Sequence, residues 1–133
     1  MQETGHSSAD PRLLSPLTLA FLGDAVYELC ARQRIVDEGN RPVNEMHRRT
    51  VSLVNAGAQS GAFERISELL TDEELAVYKR GRNANASSVP KHADIADYRR
   101  ATGVEALFGY LYIKGEIDRI NQLFELANCA GEG

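Results

Sequence analysis

Apolar residues recur at helical spacing along nearly the whole chain, and no stretch alternates as a strand would. Ser15 followed by Pro16 predicts an N-cap with proline at the first helical position, opening a helix to about Asp37 that Gly39 and Asn40 end. Pro42 opens a second helix, with Met46, Val51 and Val54 as its inward side. The pattern weakens over Asn55–Gly57, which predicts a kink or break before a third helix through Leu70. In TDEE, Thr71 and Glu74 form a capping box that starts a fourth helix, with Leu75 and Tyr78 inward and an end near Gly81. Residues 82–93 read as a long loop, with Pro90 disfavouring helix at Val89. Asp94 caps a fifth helix to about Lys114. After Gly115 comes an amphipathic sixth, carrying Ile117, Ile120, Leu123 and Phe124. The predicted fold class is all-α, with about six helices.

Two of these helices carry an oddity. In FLGDAVYELC, residues 21–30, the residues Phe21, Leu22, Ala25, Val26, Leu29 and Cys30 suit a buried side, yet Asp24 sits among them. In ATGVEALFGYLYI, residues 101–113, Glu105 is the only charged residue. Helices apolar on most sides pack on each other inside a helical domain, so each brings a carboxylate to that contact. Gly23, Gly103 and Gly109 let the backbones come close. Two anions in a partly desolvated site repel, so either one is protonated or a cation lies between them. No lysine or arginine stands one turn from either acid; Arg99 and Arg100 are the nearest. Mg²⁺ suits such a pair because it needs few carboxylates and keeps several waters. Core polar contacts for both acids are the competing account. Glu28, one turn after Asp24, fits surface polarity better than an outer role at a metal site.

The chain's 133 residues fit a single domain, with a polar segment over 1–12 expected to be flexible, a folded region over 13–128 and a tail over 129–133. No secretory pattern opens the chain, no stretch is apolar enough for a membrane span, and Cys30 and Cys129 have no metal-ligand spacing. A reducing cytoplasm and no membrane partner are the expectation. Net charge is −4, but Lys79–Arg100 holds six basic and two acidic residues, a +4 segment in a chain otherwise at −8. That distribution fits either an electrostatic footprint for an anion or a solvated surface.

AFLGDAVYE is similar to the signature helix of ribonuclease III catalytic domains, and EALFGYLYI resembles their second acidic segment. RGRNANASSVPKHAD, residues 80–94, resembles the loop of the compact Mini-ribonuclease III subfamily, which lacks a separate double-stranded-RNA-binding domain. The resemblance spans about Leu13 to Phe124. It implies a homodimer of helical subunits that hydrolyses double-stranded RNA with Mg²⁺ (Mn²⁺ as a substitute), on precursors of large-subunit 23S ribosomal RNA. By position it makes Asp24 and Glu105 metal-binding catalytic acids and Phe21 an aromatic contact across the dimer. Larger relatives carry a glutamate where this chain has Ala20 and an aspartate where it has Thr102, so one well-defined ion is the expectation.

The implied reaction is metal-assisted attack of water on a backbone phosphate, leaving a 5′-phosphate and a 3′-hydroxyl. Arg80, Arg82, Asn83, Lys91, His92 and Arg99 are the candidate RNA contacts, reading shape and phosphate rather than sequence. His92 is read as a loop residue near RNA and His47 as surface, neither as a catalytic base. Two other functions stay open: a catalytically silent, ribosome-associated RNA-binding module, and a helical interaction domain. A ribosomal-protein helper that presents the RNA is compatible with all of this.

Overall fold

The computed structural model describes residues 9–84 and 94–129. Six α-helices follow in order: α1 Pro16–Asp37, α2 Val43–Val54, α3 Ala56–Ile66, α4 Asp72–Arg82, α5 Ile95–Ile113 and α6 Ile117–Ala127. Short 3₁₀ turns precede α1 (Pro11–Leu13) and follow α3 (Ser67–Leu69), and there is no strand among the described residues. The all-α expectation holds.

The capping chemistry sets the boundaries. Ser15 Oγ accepts from the Thr18 amide at 3.1 Å, and Asn55 Oδ1 accepts from the Ala58 amide at 2.9 Å. Asn55 thus ends α2 and starts α3, where the weakened pattern predicted a break. Thr71 and Glu74 exchange both bonds of a capping box, at 2.9 and 3.1 Å. Asp94 Oδ1 accepts from the Asp97 amide at 3.0 Å and opens α5. Gly115 takes φ +77°, a left-handed conformation that turns the chain from α5 into α6.

Helix α5 is the axis of the domain. Ala101, Gly103, Val104 and every residue from Ala106 to Leu111 are buried, with α1, α3, α4 and α6 packed around them. Tyr27 of α1 stands edge-on to Phe108 and Phe124, with ring centroids 4.9 and 5.1 Å away. Phe63 stacks on Tyr78 at 3.8 Å and joins α3 to α4. At the other end of α4 the Tyr110 hydroxyl donates to Glu73, and Arg119 binds the buried Glu74 through two bonds of 2.8 Å. Burial alone would push the Glu74 carboxyl up, but Arg119 and the Thr71 amide outweigh it and hold the pKa below the usual carboxylate value.

Several expectations need correction. Val51 is exposed, and Thr50 faces inward instead, because positions 46, 50, 53 and 54 share one side of α2 and 51 lies off it. Helix α3 ends at Ile66, and the turn to Leu70 is 3₁₀. Arg82 belongs to the last turn of α4 rather than to the loop. Ile117, at the first position of α6, is exposed. On α1 the buried positions are Leu19, Ala20, Gly23, Val26, Tyr27, Ala31 and Ile35, whereas Phe21, Ala25 and Leu29 face outward. Period alone cannot separate a side covered by the same chain from a side left uncovered.

Candidate active site

The meeting of α1 and α5 is a contact of backbones. A Cβ placed on Gly23 would overlap the Glu105 carbonyl oxygen and lie 2.8 Å from the Gly109 amide nitrogen. One placed on Gly109 would overlap the carbonyl oxygen of Leu19. Glycine at both positions lets the helices approach more closely than any side chain would allow. The consequence falls on the next residue: Asp24 is brought beside Glu105.

The two carboxyl groups share a hydrogen bond, and Glu105 has its pKa pushed up to about 8. Burial is the first cause and the charge of Asp24 the second. At neutral pH the Glu105 carboxyl is therefore mostly protonated and donates to the exposed Asp24. Gln59 of α3 acts the other way, its side-chain amide drawing the Glu105 pKa down. Among the described residues neither acid forms an ion pair with an arginine or lysine. Nor, among the described residues, does a third histidine, cysteine or acidic residue complete a metal cluster there. Glu28 is held by Arg32 at 2.7 Å in an exposed pair along its own helix.

These features suit a hard divalent cation. A positive charge between the acids would offset the burial and the Asp24 charge that together keep Glu105 protonated, and few protein ligands leave room for the waters Mg²⁺ retains. Neither Ala20 nor Thr102 adds a carboxylate. Ala20 is buried, and the Thr102 hydroxyl donates to the Tyr98 carbonyl at 3.0 Å.

The sequence profile of the ribonuclease III domain matches residues 17–116, a span holding both acids. It belongs to the ribonuclease III family. Its relatives place it with the Mini-ribonuclease 3 proteins. The one from Thermoanaerobacter sp. is 49% identical over 86% of this chain and 80% of its own length. The one from Symbiobacterium thermophilum is 44% identical over 90% and 92%. A crystal structure of a Fusobacterium nucleatum protein, 30% identical, superposes with a TM-score of 0.81 over 95% of this chain and all of its own. As a ribonuclease III protein the chain is an endoribonuclease.

The candidate RNA contacts of this ribonuclease III domain do not all meet. Arg82, Asn83 and Arg99 line one shallow groove with Ile95, Ala96 and Arg100, between the end of α4 and the start of α5. Arg82 lies 5.8 Å over the Tyr78 ring, and its Nε donates to Asn83 Oδ1 at 3.1 Å. Arg80 turns elsewhere, donating to the Leu14 carbonyl at 3.2 Å. Lys91 and His92 lie outside the described residues. His47 is exposed on α2, as expected of a surface residue. Phe21 is 85% exposed in the single chain. Among the described residues no helix is long and apolar enough to cross a membrane.

Two polar groups of the site escaped the sequence reading. Gln59 is one, and its only signal was a long polar side chain within the small-residue run AGAQSGA. The other is Ser60, whose Oγ accepts from Arg100 at 3.3 Å and ties α3 to α5.

Proposed function

We propose that this chain is a Mg²⁺-dependent endoribonuclease that cleaves double-stranded RNA, with precursor 23S ribosomal RNA as its substrate. The observation that carries the reading is the meeting of Asp24 and Glu105, brought together from distant segments by glycines on both helices. Asp24 and Glu105 are the residues that would hold the ion. Magnesium bound there would supply positive charge to the phosphoryl oxygen and a water of lowered pKa, leaving 5′-phosphate and 3′-hydroxyl ends. With two carboxylates and neither Ala20 nor Thr102 able to add a third, one ion is held by protein. Mn²⁺ is a suitable replacement because it also favours oxygen ligands.

Arg82, Asn83 and Arg99 contact phosphates along the groove, and Arg80, Lys91 and His92 extend that footprint. Such contacts suit an A-form duplex, whose deep major groove side chains cannot read. One groove is a small footprint. A homodimer formed through the exposed Phe21 side of α1 doubles it and sets one site near each strand. The names of the relatives support ribonuclease activity, and the resemblance supports the ribosomal precursor; a ribosomal protein that presents the RNA and a cytoplasmic location are compatible with both.

The test is cleavage of a plain RNA duplex by wild type and Asp24→Asn, with and without Mg²⁺. Asp24→Asn is expected to keep its helical content and duplex affinity while cleavage falls by at least 1,000-fold, on the order of 4 kcal/mol of lost transition-state stabilisation. Full activity of that variant, or cleavage by wild type without any divalent ion, would overturn the proposal.

A further inference from the structure

Gln59 is 1% exposed, and its Nε2 is one of three buried side-chain nitrogens without a hydrogen-bond partner among the described residues. The other two, Arg34 Nη1 and Arg41 Nε, belong to arginines outside the acid pair. An uncharged amide lowers the pKa of a carboxyl group by donating to it, so the effect of Gln59 on Glu105 fits Nε2 lying towards the carboxyl group. Yet Nε2 completes no bond of ordinary length and angle while Glu105 is engaged with Asp24. A buried amide donor left without an acceptor is costly and is rarely kept without a use.

The backbone around Gln59 is fixed. Asn55 caps the start of α3, and the neighbouring Ser60 is tied to Arg100 of α5. Gln59 therefore reaches Glu105 from α3, whereas Asp24 reaches it from α1. A carboxylate has two oxygens. If one accepts from the side facing α3, the other is turned towards Asp24.

We propose that Gln59 is a positioning residue that donates from Nε2 to one oxygen of Glu105 and directs the other oxygen towards the ion shared with Asp24. The inference rests on the two-acid site proposed above and adds the group that orients one of its ligands. Outer partners of metal ligands fix orientation in this way, and their loss typically weakens metal binding without dismantling the site.

The test measures Mn²⁺ binding by electron paramagnetic resonance, on wild type, Gln59→Leu, Gln59→Met and Asp24→Asn, beside the melting temperature of each without metal. Leucine and methionine remove the amide at similar volume, so metal-free melting is expected to stay at or above the wild-type value. Mn²⁺ affinity is expected to fall roughly 10- to 100-fold in both Gln59 variants. The Mg²⁺ concentration for half-maximal cleavage should rise in step, with cleavage recovering at saturating Mg²⁺. Affinity within twofold of wild type in whichever Gln59 variant folds overturns the role of Gln59 alone. No Mn²⁺ binding by wild type, or unchanged binding by Asp24→Asn, overturns the two-acid site and this inference with it.

Discussion

Gly23 lies against the main chain of Glu105 so closely that a side chain at position 23 would collide with the Glu105 carbonyl oxygen. This single approach fixes both the packing of α1 on α5 and the distance between the acids. Gly23→Ala must push two backbones apart, and backbone cannot swing aside as a flexible side chain can. The variant is expected to lose about 3 kcal/mol of stability, at the upper end of ordinary overpacking. Displacement of Asp24 by even 1 Å is expected to lower cleavage by about 100-fold under conditions where the variant is still folded. Denaturant titration and single-turnover cleavage check the two separately; wild-type values in both would show that the helices part without consequence.

Glu105 makes the metal-free protein sensitive to alkali. Its carboxyl holds a proton up to about pH 8 in the fold, against a value of 4.5 unperturbed, so between those limits the folded chain binds a proton that the unfolded chain releases. The stability this provides is complete below pH 4.5 and is lost as pH rises through 8. Glu45, Glu73 and Glu74, with pKa values lowered by their basic partners and hydrogen bonds, lose their contribution only on the acid side, so of these carboxyl groups Glu105 alone acts between pH 5 and 8. The melting temperature of protein stripped of metal is expected to fall by roughly 10–15 °C from pH 5 to pH 8.5. Glu105→Gln should flatten that slope. Mg²⁺ binding at pH 7 should release protons, seen in calorimetry as heats that follow the ionisation enthalpy of the buffer. A melting temperature independent of pH in wild type would refute the raised pKa.

The acid pair was legible in the chain because a carboxylate among apolar residues needs a reason, and Gly23 and Gly109 announced a close approach; Gly103, expected to serve the same contact, instead lies against Tyr78 of α4. The caps at Ser15, Asn55, Thr71 and Asp94 were legible because each places a particular oxygen before a helix. Gln59 was not, since its meaning arises only when α3 packs on α5 and sets its amide against Glu105. Nor was the exposure of Leu29 or Val51: a hydrophobic period locates a helix, but the side it buries depends on neighbours that come from elsewhere in the chain. Arg80 and Arg82 are two residues apart, and on a helix that separation sends them to different sides.

The groove between α4 and α5 makes a quantitative demand on RNA binding. Phosphate contacts release counterions, so duplex affinity should fall steeply as salt is raised. Arg99 is exposed at the groove, and Arg99→Ala is expected to weaken binding about equally for duplexes of different sequence and to reduce the salt slope by about 1. Arg82→Ala should do the same with an added loss of packing over Tyr78. Filter binding at several salt concentrations with two unrelated duplexes measures both effects. Affinity insensitive to salt, or a loss confined to one sequence, would remove the groove from the RNA-binding surface.

Leu17, Phe21, Ala25 and Leu29 succeed one another at every fourth position of α1, and all four face outward in the single chain. Phe21 is 85% exposed and Leu29 64%, while Asp24 and Glu28 border the stripe. A row of large apolar side chains beside the acids is the surface through which the proposed dimer would form, and burying an exposed phenylalanine stabilises such a contact by about 2 kcal/mol. In a two-fold dimer Phe21→Ala removes one such side chain from each protomer, so it is expected to raise the dimer dissociation constant by roughly 1,000-fold. Because most of the side chain is exposed in its own subunit, the monomer's melting temperature should change little. Cleavage at low protein concentration should fall with the dimer population and recover as concentration is raised. Sedimentation equilibrium measures the association directly, and a Phe21→Ala variant that dimerises as tightly as wild type would show that this stripe is not the contact.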